Sequence, residues 1–143
     1  MKKPSCRFLM GLLLFFCFGS SCRADDGSMV KAFYTEYGNA VQENDSVYYT
    51  GRCDSLVTQY CTSGFAYKIR DEFENGIGYD WLTDNYGMDS LSVSTLSVTT
   101  ASGYCIVKFK VHTGFPVVNK VSDVELHVYM EGHKITDVVN PDN

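Results

Sequence analysis

Between residues 29 and 44 the apolar positions Val30, Phe33, Tyr34, Tyr37 and Val41 recur at spacings of three and four. That period puts them on one face of an amphipathic helix, with Ser28 as its N-cap. Asn44, Asp45 and Ser46 end the pattern. A second helix is expected to begin near Asp54, whose carboxylate suits the free amides of a helix start, and to carry Leu56, Val57, Tyr60 and Cys61. Thr62, Ser63 and Gly64 break it. Phe65, Ala66, Ile69 and Phe73 then predict a third helix to about Glu74, and Asn75, Gly76, Ile77 and Gly78 read as a loop.

From Leu91 onward the period becomes two. Leu91, Val93 and Thr95 alternate, and Leu96 and Val98 continue with opposite parity, which predicts one strand interrupted by a bulge. Gly103 opens the next strand, with Cys105, Val107, Phe109 and Val111 on one face and Lys108 and Lys110 on the other. A loop of Thr113, Gly114, Phe115 and Pro116 follows. The third strand points Val124, Leu126, Val128 and Met130 inward, and Asp123, Glu125, His127 and Tyr129 outward. Opposite charges on the outer faces predict that these two strands pair. Glu131, Gly132 and His133 form a tight turn into a last strand over 134–139. Helices followed by strands with one wet face make an α+β domain over 29–143. Three N-terminal helices would pack on a curved four-stranded antiparallel sheet.

The pattern ahead of this domain is different. Lys2, Lys3 and Arg7 precede an uncharged apolar run, residues 8–18, which is short of the roughly 20 residues a spanning helix needs. A basic start, a short apolar core and the small residues Gly19, Ser20 and Ser21 predict a secretory signal over 1–21. Small residues before Cys22 resemble a lipobox, in which the cysteine is acylated and becomes the new N-terminus. Gly19 stands where that pattern carries a large aliphatic residue. Lipoboxes of the Bacteroides group resemble this one, and Asp25 and Asp26 resemble the acidic stretch that marks surface export there. Residues 22–28 would be a tether. The rival processing site lies after Ala24 and would release a soluble protein. The expected location is the outer membrane, facing periplasm or cell surface, with membrane contact through the lipid anchor only.

Charge narrows the partners. All 17 acidic residues lie from Cys22 onward with nine of the 12 basic ones, a net charge of about −8 on the mature chain. Such a surface repels phosphate backbones, so nucleic acid is not an expected partner. Ten tyrosines and the five phenylalanines beyond the signal supply core-forming side chains to the domain. Cys53, Cys61 and Cys105 remain beyond the signal, enough for one disulfide in an oxidising compartment. A Cys53–Cys61 bridge requires a break in the helix between them, because eight residues of helix span about 12 Å. Cys105, in its alternating strand, reads as a small buried apolar residue.

Four segments, 30–34, 56–60, 79–84 and 134–139, resemble in sequence and order a family of uncharacterised exported bacterial domains. That family has a cystatin-like fold related to the nuclear transport factor two-like superfamily. The resemblance covers about 29–140. It implies the fold and a pocket between helices and concave sheet, and it supplies no activity and no catalytic residues.

No catalytic residue, cofactor or metal is expected from the inward positions of the second and third strands. Asp137 is the one carboxylate of the last strand that can point inward, with an edge role bonding backbone amides as its bland alternative. His112 and His127 could share an outer face, although solvated strand histidines are commoner than metal ligands. The distinctive stretch is 78–87, which holds Tyr79, Asp80, Trp81, Asp84 and Tyr86. Rigid aromatics beside carboxylates suit a binding surface for sugars, cations or a protein. The alternative is a lid that packs Trp81 and Leu82 on the core, with Asp80 and Asp84 forming turns. Three functions follow: an envelope binding module with an unknown ligand or protein partner, an inhibitor or immunity-type protein for a basic partner, and a small pocket enzyme using acid–base chemistry.

Overall fold

The computed structural model describes residues 23–43, 51–114 and 120–143. Among them four α-helices precede four strands: α1 (Ala24–Gln42), α2 (Gly51–Tyr60), α3 (Ser63–Asn75), α4 (Ser90–Thr95), β1 (Ser97–Thr100), β2 (Tyr104–Thr113), β3 (Lys120–Glu131) and β4 (Lys134–Val139). The strands form one antiparallel sheet in the order β1-β2-β3-β4. This is the α+β arrangement that the change of period predicts.

Helix α1 starts five residues ahead of the expected 29, so 24–28 are helical and not a tether. The cause lies in Asp25 and Asp26, which occupy the first turn, where the exposed amides favour negative charge. The Asp26 carboxylate accepts the Arg23 N–H at 2.7 Å. Helix α1 ends at Gln42 with Glu43 as its C-cap, while Asn44, Asp45 and Ser46, the turn at Phe115 and Pro116 and the signal segment lie outside the described residues. Helix α2 begins at Gly51, and Asp54 sits within its first turn, where it pairs with Arg70 of α3. Thr62 caps α3, its hydroxyl accepting the Phe65 N–H.

The expected bulged strand over 91–98 is the largest departure. Residues Ser90–Thr95 are helical, and β1 is only four residues long. Asp89 decides this locally: its Oδ1 accepts the Ser92 N–H at 2.9 Å, and Ser92 Oγ accepts the Asp89 N–H at 3.1 Å, a reciprocal cap. Asp89 Oδ2 also accepts the backbone N–H of His112 at 3.0 Å and lies 2.7 Å from its Nδ1, fastening α4 to β2. Burial pushes the Asp89 carboxyl up, but the His112 and Ser92 hydrogen bonds outweigh it and hold it below the usual range. The opposite parities therefore mark a passage from helix to strand.

The core lies between helices and sheet. Val30, Phe33 and Tyr34 of α1 are fully buried, as are Val107 of β2 and Leu126 and Val128 of β3. These side chains belong to one buried apolar cluster. Cys53, Cys61 and Cys105 are buried thiols outside any disulfide. Burial raises the Cys61 thiol to about 12, far from a reactive thiolate. The outer edge of β4 is covered: the Thr62 N–H donates to Ile135 O at 2.8 Å, and Cys61 bridges Ile135. That contact removes an open strand edge.

Helices α1 and α4 approach closely at Gly38. A Cβ there would stand 2.7 Å from Val93 Cγ2 and 3.2 Å from Met88 Cε. Val93 is stiff at χ1. Gly38→Ala is expected to lower unfolding stability by on the order of 1 kcal/mol, overpacking exceeding the gain in helix propensity. Urea unfolding measures the loss, and a Val93→Ala background should restore it. A stabilised Gly38→Ala single variant would contradict the close approach.

Candidate functional site

The segment 78–87 follows α3 and is shaped by its own side chains. Gly78 and Gly87 adopt φ of 77° and 68°, and Asp84 and Asn85 adopt left-handed φ of 50° and 64°. Asp and Asn tolerate that region better than most residues. Asp80 organises the first half. Its Oδ1 accepts the Leu82 N–H at 2.9 Å, its Oδ2 accepts the Thr83 hydroxyl, and the Tyr37 hydroxyl donates to it from α1 at 3.4 Å. Although part of the residue reaches the surface, the carboxyl itself is enclosed, and burial raises its pKa against the pull of those donors. Leu82 and Thr83 are fully buried, and Leu82 O accepts the Tyr34 hydroxyl at 2.8 Å.

Asp84 organises the second half. It accepts the Tyr79 hydroxyl on one oxygen, and the side-chain amides of Asn140 and Asn143 on the other, each at 2.6 Å. Burial, with the Asp84 hydrogen bond next, raises the Tyr79 phenol to about 12. The loop is thus tied to α1 through Asp80 and to the chain beyond β4 through Asp84.

Trp81 is half-buried, with Tyr79 edge-on to it at 4.8 Å between ring centroids. Lys68 of α3 places its ammonium 3.7 Å from the Trp81 ring centroid, a cation–π contact, and 3.6 Å from Asp137. The indole Nε1 is buried and meets no acceptor among the described residues. Tyr86 is 39% exposed. Of the five sequence candidates, Tyr79, Trp81 and Asp84 form one contact group. Asp80 faces Tyr37 and Thr83 beneath them, and Tyr86 lies outward. Lys68, Asn140 and Asn143 are the members that the sequence reading missed. Lys68 sits outside the apolar stripe of α3 and looks like any solvated lysine, and the two asparagines follow the last strand with no local signal.

The other candidates are separated. Asp137 pairs with Lys68 and accepts the Val138 N–H at 3.0 Å, which is the edge role. His112 is held by Asp89, whereas His127 stacks on Tyr104 at 4.4 Å and touches Glu125. In the β2–β3 register His127 faces Ile106, six residues from His112. Two histidines so far apart cannot share an ion. Among the described residues no group of three or more His, Cys, Asp or Glu side chains is placed to hold a metal.

On the outer sheet face Lys108 pairs with Glu125 and Lys110 with Asp123, both at 2.7 Å, in the strand pairing that the outward charges predict. A groove of about 480 Å³ lies over them, bounded also by Thr95 and Asp142. Its two lysines are each paired with a carboxylate, and Asp142 adds one further negative charge.

No family model matches the chain, and no curated protein matches it. A crystal structure of a protein of unknown function from Bacteroides thetaiotaomicron VPI-5482 is similar, with a TM-score of 0.59. The match covers 80% of this chain and 88% of that one, at 17% identity. What the two share is a fold. At that identity the likeness assigns no residue a role.

Proposed function

We propose that this chain is an exported, lipid-anchored binding module of the outer membrane, non-enzymatic, with its recognition surface on 79–86. Cys22 is the acylated residue, and residues 1–21 are removed as signal. The fold belongs to the cystatin-like, nuclear transport factor two-like group. Support for export comes from the basic start and short apolar run, and support for the fold group from the order of the four segments and the α+β architecture. Among the described residues no helix is long and apolar enough to cross a membrane.

The observation that carries the binding reading is Trp81. Its indole N–H is buried without an acceptor among the described residues, inside a segment that Asp80 ties to α1 and Asp84 ties to the chain beyond β4. A buried donor without a partner costs about 1–3 kcal/mol, which a ligand oxygen would recover. Lys68, over the face of the ring, adds a positive charge beside the indole. The ligand is therefore an oxygen-rich group, on a glycan or on a protein.

Binding of the purified protein to envelope glycans and envelope proteins tests this reading. Lys68→Ala and Tyr86→Ala are each expected to weaken capture roughly tenfold or more while leaving the melting temperature unchanged. Capture by both variants equal to the parent's removes 79–86 from the reading. A second reading, an inhibitor or immunity-type protein for a basic partner, is favoured by the net charge of about −8 on the mature chain. It requires binding that weakens steeply with salt.

A further inference from the structure

We infer that the domain stands on the bilayer by one particular end: the start of α1 together with the β1–β2 and β3–β4 turns. The 79–87 segment is carried at the far side. This inference rests on the reading of Cys22 as the anchor.

Only Arg23 separates Cys22 from Ala24, the first residue of α1. Two Cα steps reach about 7 Å, so an acylated Cys22 leaves no slack between the membrane surface and the folded body. The first turn of α1 is also fixed to the sheet. Asp26 is buried and lies 3.0 Å from Nδ1 of His133, in the β3–β4 turn. Gly27 lies against Thr100, the last residue of β1; a Cβ at 27 would stand 3.0 Å from Thr100 Cγ2. The anchor therefore pulls on a rigid element locked to two turns.

Strand register places those turns together. Thr100 faces Cys105, Tyr104 faces Tyr129, and Glu131 faces Lys134. The turns at 101–103 and 132–133 thus lie at one end of the sheet, beside the start of α1. The 79–87 segment meets α1 at Tyr37, and Met88 next to it meets Gly38. Thirteen residues of helix from Ala24 put it about 20 Å away. Asp84 holds Asn140, beyond the end of β4 opposite to Lys134.

Charge favours the same orientation. Arg23, Lys31 and Lys134 balance Asp25, Asp26 and Glu131 at the anchored end, although the mature chain carries about −8. Anionic headgroups repel the acidic remainder and leave this balanced end as the one that can approach them.

Trp81 is the chain's only tryptophan, so it reports its own depth. The acylated mature protein is placed in phosphatidylethanolamine–phosphatidylglycerol vesicles that contain nitroxide-labelled lipid, and indole quenching is measured. The parent Trp81 should be quenched little. A Trp81→Phe, Ser102→Trp double variant, whose indole sits in the β1–β2 turn, should be quenched several-fold more. Parent quenching as strong as that of a membrane-embedded indole overturns the orientation without recourse to any variant. The mass of the mature N-terminus, with vesicle cosedimentation, reads the anchor separately. An unacylated protein that stays in the supernatant removes the anchor and this inference with it, whereas an acylated, sedimenting protein with strongly quenched Trp81 removes the orientation alone.

Discussion

Phe33→Ala is expected to lower unfolding stability by about 3–5 kcal/mol, a fall in melting temperature of roughly 10–20 °C for a domain of this size. Phe33 is fully buried at the centre of an aromatic group that joins three helical side chains. Its ring meets Tyr34 edge-on at 5.2 Å, lies nearly parallel to Tyr37 at 5.7 Å and tilts against Tyr60 of α2 at 5.3 Å. Truncation removes the largest piece of apolar area that α1 presents and leaves a cavity. Three aromatic neighbours cannot collapse into it without breaking the Tyr34–Leu82 and Tyr37–Asp80 hydrogen bonds. Phe33→Leu keeps most of the volume and should cost less than about 1.5 kcal/mol. Urea unfolding followed by circular dichroism measures both. A Phe33→Ala loss below about 1 kcal/mol would mean that α1 does not pack as described.

Much of this core was legible from periodicity. Val30, Phe33, Tyr34 and Tyr37 are buried as the helical spacing requires, and Cys105, Val107, Phe109 and Val111 are buried as the alternation of β2 requires. The Lys108–Glu125 and Lys110–Asp123 pairs fix the β2–β3 register at the positions their charges suggest. What misled was the short stretch 90–98. The six helical residues Ser90–Thr95 hold too few periods to separate helix from strand, and there capping chemistry outranks the hydrophobic pattern. The Asp89–Ser92 spacing was the available signal. The early start of α1 has a similar origin, since Asp25 and Asp26 suit a helix N-terminus as well as a polar tether.

The candidate site was legible as composition and not as arrangement. Five notable side chains within ten residues marked 78–87, but their division into buried organisers and surface groups depends on partners far along the chain. Asp80 is enclosed because Tyr37 and Thr83 close over it, and Asp84 is tied down by asparagines 56 and 59 residues later. No local pattern reveals such pairings. The same distance in sequence hid Lys68, which meets Trp81 only once α3 and the loop are docked.

Asp80→Ala is expected to cost on the order of 3 kcal/mol, the second largest effect among these variants. It strips acceptors from the Leu82 N–H and the Thr83 hydroxyl, and both residues are fully buried. The loss is tempered because the carboxylate itself is held at a cost, burial having raised its pKa. That shift carries a pH signature. The folded state binds the Asp80 proton more tightly than the unfolded chain does, so between the two pKa values it holds more protons. The stabilisation from this proton is complete below the unfolded value of about 3.9 and is lost as pH rises through the folded one. Asp89 and Glu125, whose carboxyls are depressed, act in the opposite sense and lose their contribution as pH falls. Asp80→Asn isolates the first term, because it retains an oxygen acceptor and carries no titration. The parent-minus-variant stability difference should therefore decline as pH rises above about 4, with the Asp89 and Glu125 contributions cancelling. Melting temperatures of both proteins from acid to neutral pH measure it, with Trp81 fluorescence as a local probe of the loop. A difference that stays flat, or grows with pH, would show that burial does not outweigh the hydrogen-bond donors around Asp80.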